Sequence, residues 1–168
     1  QSGDKTSNIK ELFVNYDTIH EDVKIGEKIL LDDGKIILRV LSINNTLINC
    51  KIIQGGSLKS NKGVNLPNTK ITLPAITNKD YHDLLFCIKN NIEWVALSFV
   101  RSSRDILDLK KIISSQNGNC KIIAKIEKPD AIKNLKSIIT HSDALMVARG
   151  DLGVEMPTQK VPVLQKKI

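Results

Sequence analysis

Cys120-Lys121-Ile122-Ile123-Ala124-Lys125-Ile126-Glu127 and Asp143-Ala144-Leu145-Met146-Val147-Ala148-Arg149-Gly150-Asp151 decide how this chain folds. Each is an apolar run of strand length that ends in charge. Side chains alternate across a strand, so Ile123, Lys125 and Glu127 share one face while Ile122, Ala124 and Ile126 share the other. A strand buried on both faces in a parallel sheet stays apolar to its end. The first run instead finishes with a cation and an anion on one face, and the second finishes in Gly-Asp. Charge at the C-terminal ends of neighbouring strands points to a metal-assisted site.

Outward from these runs, the chain after residue 62 alternates helix and strand. Thr77-Asn78-Lys79-Asp80 has the form of a capping box, with Tyr81, Leu84, Leu85 and Ile88 following at helical spacing. Glu93 to Phe99 reads as a strand. Ser102 to Asp105 forms a second capping box, ahead of a stripe of Ile106, Leu109, Ile112 and Ile113. Pro129 opens a helix whose stripe is Ile132, Leu135, Ile138 and Ile139, strand 144–148 follows, and a last helix starts near Thr158. Alternating units of this kind imply parallel strands joined by helical crossovers. Periodicity fits a doubly wound sheet or part of a (β/α)8 barrel equally well. The placement of chemistry favours the barrel, whose active sites gather at the C-terminal strand ends. Lys125 and Glu127 satisfy that by parity, Gly150-Asp151 ends the next strand, and Ser98 ends the preceding one.

Before residue 62 the pattern is all β. Ile29 to Leu31 and Ile36 to Val40 flank Asp32-Asp33-Gly34, a strong hairpin signal, and Leu47 to Ile53 reads as a further strand. Glu11-Leu12-Phe13-Val14 is expected to be another strand, and Thr18 to Val23 is ambiguous. The segment reads as a small antiparallel β module.

Composition narrows the class. The 168 residues, 41% of them hydrophobic, are enough to bury a core in one domain or two small ones. Cys50, Cys87 and Cys120 are dispersed, without a Cys-x-x-Cys pair, which argues against a structural zinc and fits a reducing, cytoplasmic setting. No stretch reaches the roughly 20 apolar residues of a membrane span, so no membrane association is expected. The net charge of +7 comes from lysines spread along the chain. A nucleic-acid surface shows a basic stripe with interleaved aromatics or arginines, so the charge reads as a solvated surface with some attraction for anionic substrates.

Two carboxylates on neighbouring strand ends suit a hard cation such as magnesium, which keeps waters and takes other ligands from substrate oxygens. Lys125 beside them could neutralise a phosphoryl group or an enolate. Asp151-Leu152-Gly153 could open a short helix whose free amides hold a substrate carboxylate. The plainer reading makes Lys125–Glu127 a rim salt bridge and Asp151 a helix cap. For any one of these residues the plainer reading is favoured, but jointly, with Ala148 to Glu155 following, the functional reading wins.

Four segments together resemble pyruvate kinases in order and spacing: Leu31-Asp32-Asp33-Gly34, Lys62-Gly63-Val64-Asn65-Leu66-Pro67, Ala124-Lys125-Ile126-Glu127 and Met146 to Glu155. The resemblance implies an α/β fold: strand–helix units 4 to 6 of a TIM (β/α)8 barrel, preceded by a small antiparallel β-barrel-like lid. Residues 1–65 would be most of the lid, and residues 66–168 the central part of the catalytic barrel. It implies phosphoryl transfer between phosphoenolpyruvate and ADP, giving pyruvate and ATP, in a cytoplasmic glycolytic enzyme that is a homotetramer in the full-length family. Glu127 and Asp151 would bind Mg2+ or Mn2+, and Lys125 would be the catalytic lysine. The amides of Gly150 and Asp151 would seat the substrate carboxylate, and Lys62 would approach the nucleotide phosphates. Asp32 and Asp33 read mainly as turn residues, with a nucleotide-side role as the alternative. The family's K+ ligands, its phosphoryl-contacting arginine and its proton-assisting threonine would lie outside this chain.

Three of eight strands do not close a barrel, so the isolated chain is expected to lack measurable activity. Two other readings remain. One is a metal-dependent aldolase or another phosphoenolpyruvate or enolate barrel enzyme, against which the hairpin and the Lys62–Pro67 segment argue. The other is a non-catalytic binding module.

Overall fold

The structure is a computed structural model that describes residue 8 and residues 10–168. The chain is an α/β protein in two compact units, the first ending at Thr72 and the second beginning at Leu73.

The first unit carries a four-stranded antiparallel sheet, in the order β3-β2-β1-β4, formed by β1 (Lys28–Leu31), β2 (Ile36–Asn44), β3 (Leu47–Gln54) and β4 (Val64–Asn65). The hairpin forms where the sequence places it, with Leu31 opposite Ile36. Asp32, Asp33 and Gly34 take φ of 48°, 57° and 80° in succession, a left-handed path that Asp tolerates and Gly takes freely. Ile29, Leu31, Ile36, Leu38 and Val40 are buried together with Ile19, Val23 and Leu66. The expected strand at Glu11 to Val14 does not form: these residues are irregular. The ambiguous stretch holds one helical turn, α1 (Ile19–Asp22). Its Asp22 is buried and accepts from the N–H and Oγ1 of Thr72 at 2.7 and 3.2 Å, and from the hydroxyl of Tyr16.

The second unit carries a parallel sheet in the order β5-β6-β7, formed by β5 (Trp94–Leu97), β6 (Lys121–Ile126) and β7 (Ala144–Val147). Helix α2 (Asn78–Lys89) precedes it and α3 (Ser103–Ser115) makes the first crossover. Thr77 and Asp80 form the full capping box at the start of α2. At the start of α3, Asp105 Oδ2 accepts from the N–H groups of Arg101 and Ser102 at 2.7 and 3.1 Å. The second crossover departs from expectation. It breaks at Asn134 into α4 (Pro129–Lys133) and α5 (Leu135–His141), and the stripe loses phase there. Ile138 is fully buried, whereas Ile139, expected on the same face, is 44% exposed. After β7 come α6 (Arg149–Glu155), a 3-10 turn at Thr158–Lys160 and α7 (Val161–Lys167).

The two faces of this sheet differ. Ile122, Ala124 and Ile126 pack with Leu97 against Ile106, Leu109, Ile113 and Ile138, all buried. On the opposite face Trp94 and Met146 are exposed and Ile123 and Lys125 half-buried. Parity therefore assigns the helix-covered face and the face that carries Lys125, as the sequence implies.

Candidate active site

The C-terminal ends of β5 and β6 converge on one carboxylate. Glu127 directly follows β6 and is 1% exposed. Its Oε2 accepts from the Phe99 N–H at 2.5 Å. Its Oε1 lies 2.6 Å from Lys125 Nζ, yet no hydrogen-bond donor is aligned on it. Lys125, two residues earlier on the same strand face, also donates to Ser98 Oγ at 3.1 Å. Its side chain stays 23% exposed, so the ammonium is held by Ser98 and Glu127 in a side chain that solvent still reaches. Lys125, Glu127 and Ser98 are thus brought together as strand parity requires.

Phe99 was not marked by the sequence as a site residue. Its φ is 53°, an unfavourable conformation for a bulky side chain that persists only where surrounding contacts enforce it. Here that conformation accompanies the amide's bond to Glu127. A second unmarked feature lies beside it. Lys128 Nζ is 2.8 Å from Glu155 Oε1, with side chains 10% and 0% exposed, and sits 5.9 Å from the centre of the Phe99 ring. The signal was present: alternation carries Lys128 onto the covered face, and a lysine there requires an anion.

Gly150 and Asp151 lie in the first turn of α6, which begins at Arg149, two residues earlier than Asp151. The first α-helical bond of this element runs from the Leu152 N–H to the Ala148 carbonyl at 2.9 Å, so the amides of Gly150 and Asp151 precede the bonded ladder. A Cβ added at Gly150 would meet no atom within 4 Å; the backbone there is open to approach. The Asp151 side chain is half-buried.

Lys62 belongs to the first unit. Its Nζ pairs with Asp32 Oδ1 at 3.1 Å, while Lys35 pairs with Asp32 Oδ2 at 3.1 Å. Hydrogen bonds from Lys35 first and Lys62 second hold the Asp32 carboxyl below its ordinary value. Asp32 therefore serves as a counter-ion as well as a turn residue.

The donor set can be tested against a divalent cation. Among the described residues no cluster of three or more His, Cys, Asp or Glu could hold a metal ion. An ion held by one or two carboxylates would have to keep waters, as magnesium commonly does. Glu127 Oε1, buried and without an aligned donor, is the kind of atom such an ion would satisfy.

A parallel sheet with helical crossovers, and a lysine–carboxylate pair at its strand ends, define the class as an α/β protein. The family model described as "Pyruvate kinase, barrel domain" matches residues 1–168. A pyruvate kinase of Clostridium perfringens is 45% identical over 92% of this chain and 33% of its own length. One from Staphylococcus aureus is 45% identical over 92% of the chain and 27% of its own length. "Pyruvate kinase 2" of Synechocystis is 44% identical over the same shares. The chain belongs to the pyruvate kinase family, and it spans a third or less of the length of these curated relatives. Among the described residues no helix is long and apolar enough to cross a membrane.

Proposed function

We propose that this chain carries the metal- and phosphoryl-handling core of a glycolytic phosphotransferase that interconverts phosphoenolpyruvate plus ADP and pyruvate plus ATP. The parallel unit is read as strand–helix units 4 to 6 of a (β/α)8 barrel, with residues 66–168 its share of the barrel and residues 1–65 the lid. The observation that carries the reading is the buried Glu127 carboxylate, gripped on one oxygen by the Phe99 amide and facing Lys125 with the other. The two pyruvate kinases that are 45% identical to it over 92% of the chain support the reading.

In this reading Glu127 and Asp151 hold Mg2+ or Mn2+, which when bound neutralises charge on the enolate and phosphoryl oxygens. Lys125, its ammonium positioned by Ser98 and Glu127 in a partly exposed side chain, meets the transferring phosphoryl group. Positioned charge of this kind is the main protein contribution to phosphoryl transfer. The free amides of Gly150 and Asp151 take the substrate carboxylate, close to the open backbone at Gly150. Lys62 serves the nucleotide phosphates, with Asp32 holding its ammonium until an anionic ligand competes for it. K+, required in the family, takes its ligands from outside this chain, and assembly is as a homotetramer in the full-length family. The setting is cytoplasmic, and neither nucleic acid nor membrane is a partner.

The test is thermal protection of the chain by oxalate, an enolate mimic, with and without Mg2+. Protection that requires Mg2+ and is lost in Glu127→Gln and Asp151→Asn is the expected result. Protection indifferent to Mg2+, or retained in both variants, would overturn the reading.

A further inference from the structure

We propose that Lys128 is a positioning residue: its buried ammonium ties the strand end bearing Glu127 to the helix bearing Asp151 and so sets the spacing of the two carboxylates. The inference rests on the reading of Glu127 and Asp151 as metal ligands.

Lys128 is extended, with φ −113° and ψ 147°, so the alternation of β6 continues through it and turns it away from the Glu127 side. It is 8% exposed, and its ammonium faces two groups from other elements: Glu155 Oε1 at 2.8 Å and the Phe99 ring at 5.9 Å. Each leads back to the site. Phe99 donates its amide to Glu127, and Glu155 ends the helix whose first turn holds Gly150 and Asp151. A helix of seven residues spans roughly 10 Å as a stiff rod, so a fixed C-terminal end restricts where its first turn lies. One cation thereby joins the end of β5, the end of β6 and α6. Stability alone is a poor account of the pair, because a buried ion pair is commonly matched or bettered by apolar residues of similar volume. Groups behind metal ligands, by contrast, typically tune affinity 10- to 100-fold, roughly, when altered.

The experiment is Mn2+ titration of the chain, followed by the electron paramagnetic resonance signal of free Mn2+, alongside urea unfolding followed by Trp94 fluorescence. Lys128→Met alone removes a cation from a buried carboxylate, so the deciding variants are the apolar pair Lys128→Met/Glu155→Leu and the conservative Glu155→Asp. Glu155→Asp keeps the ion pair but shortens the link by one methylene. Expected are Mn2+ dissociation constants raised about 10- to 100-fold in the double variant and several-fold in Glu155→Asp, at near-native unfolding midpoints. Native Mn2+ affinity in a folded double variant, or in Glu155→Asp if the double variant is unfolded, overturns the proposal. Controls separate the two ideas. If Glu127→Gln and Asp151→Asn abolish Mn2+ binding while the Lys128 and Glu155 variants retain it, only the positioning role fails. Native binding in Glu127→Gln and Asp151→Asn removes the ligand reading, and the positioning role with it.

Discussion

Replacing Glu127 by Gln and by Ala separates a functional carboxylate from a structural one. The ion pair at 2.6 Å has a gross attraction of about 6 kcal/mol at an effective dielectric of 20. Against it stands the desolvation of a carboxylate that is 1% exposed, on the order of several kcal/mol. The two terms nearly cancel. Gln preserves the volume and, through its amide oxygen, the bond from Phe99. Lys125, 23% exposed, can recover hydration. Glu127→Gln is therefore expected to change unfolding free energy by no more than about 1 kcal/mol, in either direction. Ala removes the acceptor as well, leaving the Phe99 N–H unsatisfied beside a cavity, for about 2–4 kcal/mol of destabilisation.

The assay is urea denaturation followed by tryptophan fluorescence. The chain has one tryptophan, Trp94 on β5, so the signal reports the second unit and is insensitive to independent melting of the first. If Gln destabilises as much as Ala, the negative charge itself holds the strand ends together and the argument fails. If Gln matches the parent while Mg2+-dependent oxalate protection vanishes, the charge is kept for binding rather than for folding.

Other outcomes follow from the same structure. Lys35 first and Lys62 second hold the folded pKa of Asp32 below its ordinary 3.8, so these ion pairs stabilise the first unit above that value and the stabilisation is lost as pH falls through the lower, folded one. Lys35→Ala should move the Asp32 titration, read by carboxyl carbon NMR, up toward 3.8 more than Lys62→Ala does, since the Lys35 hydrogen bond is the larger cause. Ile106, fully buried in the second core, should cost about 2–5 kcal/mol on replacement by Ala, measured by Trp94 unfolding. Burial raises the Cys50 and Cys120 thiols, so at about pH 8 both should react with a disulfide reagent more slowly than a solvated thiol, because the thiolate is the reacting form. In a coupled assay the isolated chain should form no ATP from phosphoenolpyruvate and ADP; sustained turnover abolished by Lys125→Met would refute that.

Local patterns carried most of the fold. Parity in Lys121–Glu127 assigned the covered face, the two Thr/Ser-x-x-Asp boxes marked α2 and α3, and Asp-Asp-Gly marked the hairpin, because each is settled by neighbours within four residues. Failures came where distant context decides. Glu11-Leu12-Phe13-Val14 has strand composition, but strand propensity mainly reports fit to a neighbouring pleated surface, and no strand pairs with it among the described residues. Ile139 carries the right spacing from Ile132, but spacing is a phase argument, and the break at Asn134 resets the phase between α4 and α5.

The site divides along the same line. Lys125 lies on β6 and Glu127, two residues on, directly follows it, so their contact follows from the alternation of extended backbone. The groups that hold them come from 27 and 28 residues away: Ser98 on Lys125, Phe99 on Glu127, and Glu155 on Lys128. Nothing in a linear pattern announces the left-handed φ of Phe99, because φ there is imposed by the fold and not chosen by the residue. What the sequence does announce is an unmet need. A carboxylate and two lysines at the end of a buried strand must each find a counter-charge or a donor in three dimensions. Lys125 and Lys128 turn to opposite faces and meet that need differently: Lys125, 23% exposed, pairs with Glu127 and Ser98 where solvent still reaches it, whereas Lys128, 10% exposed, is sealed against Glu155.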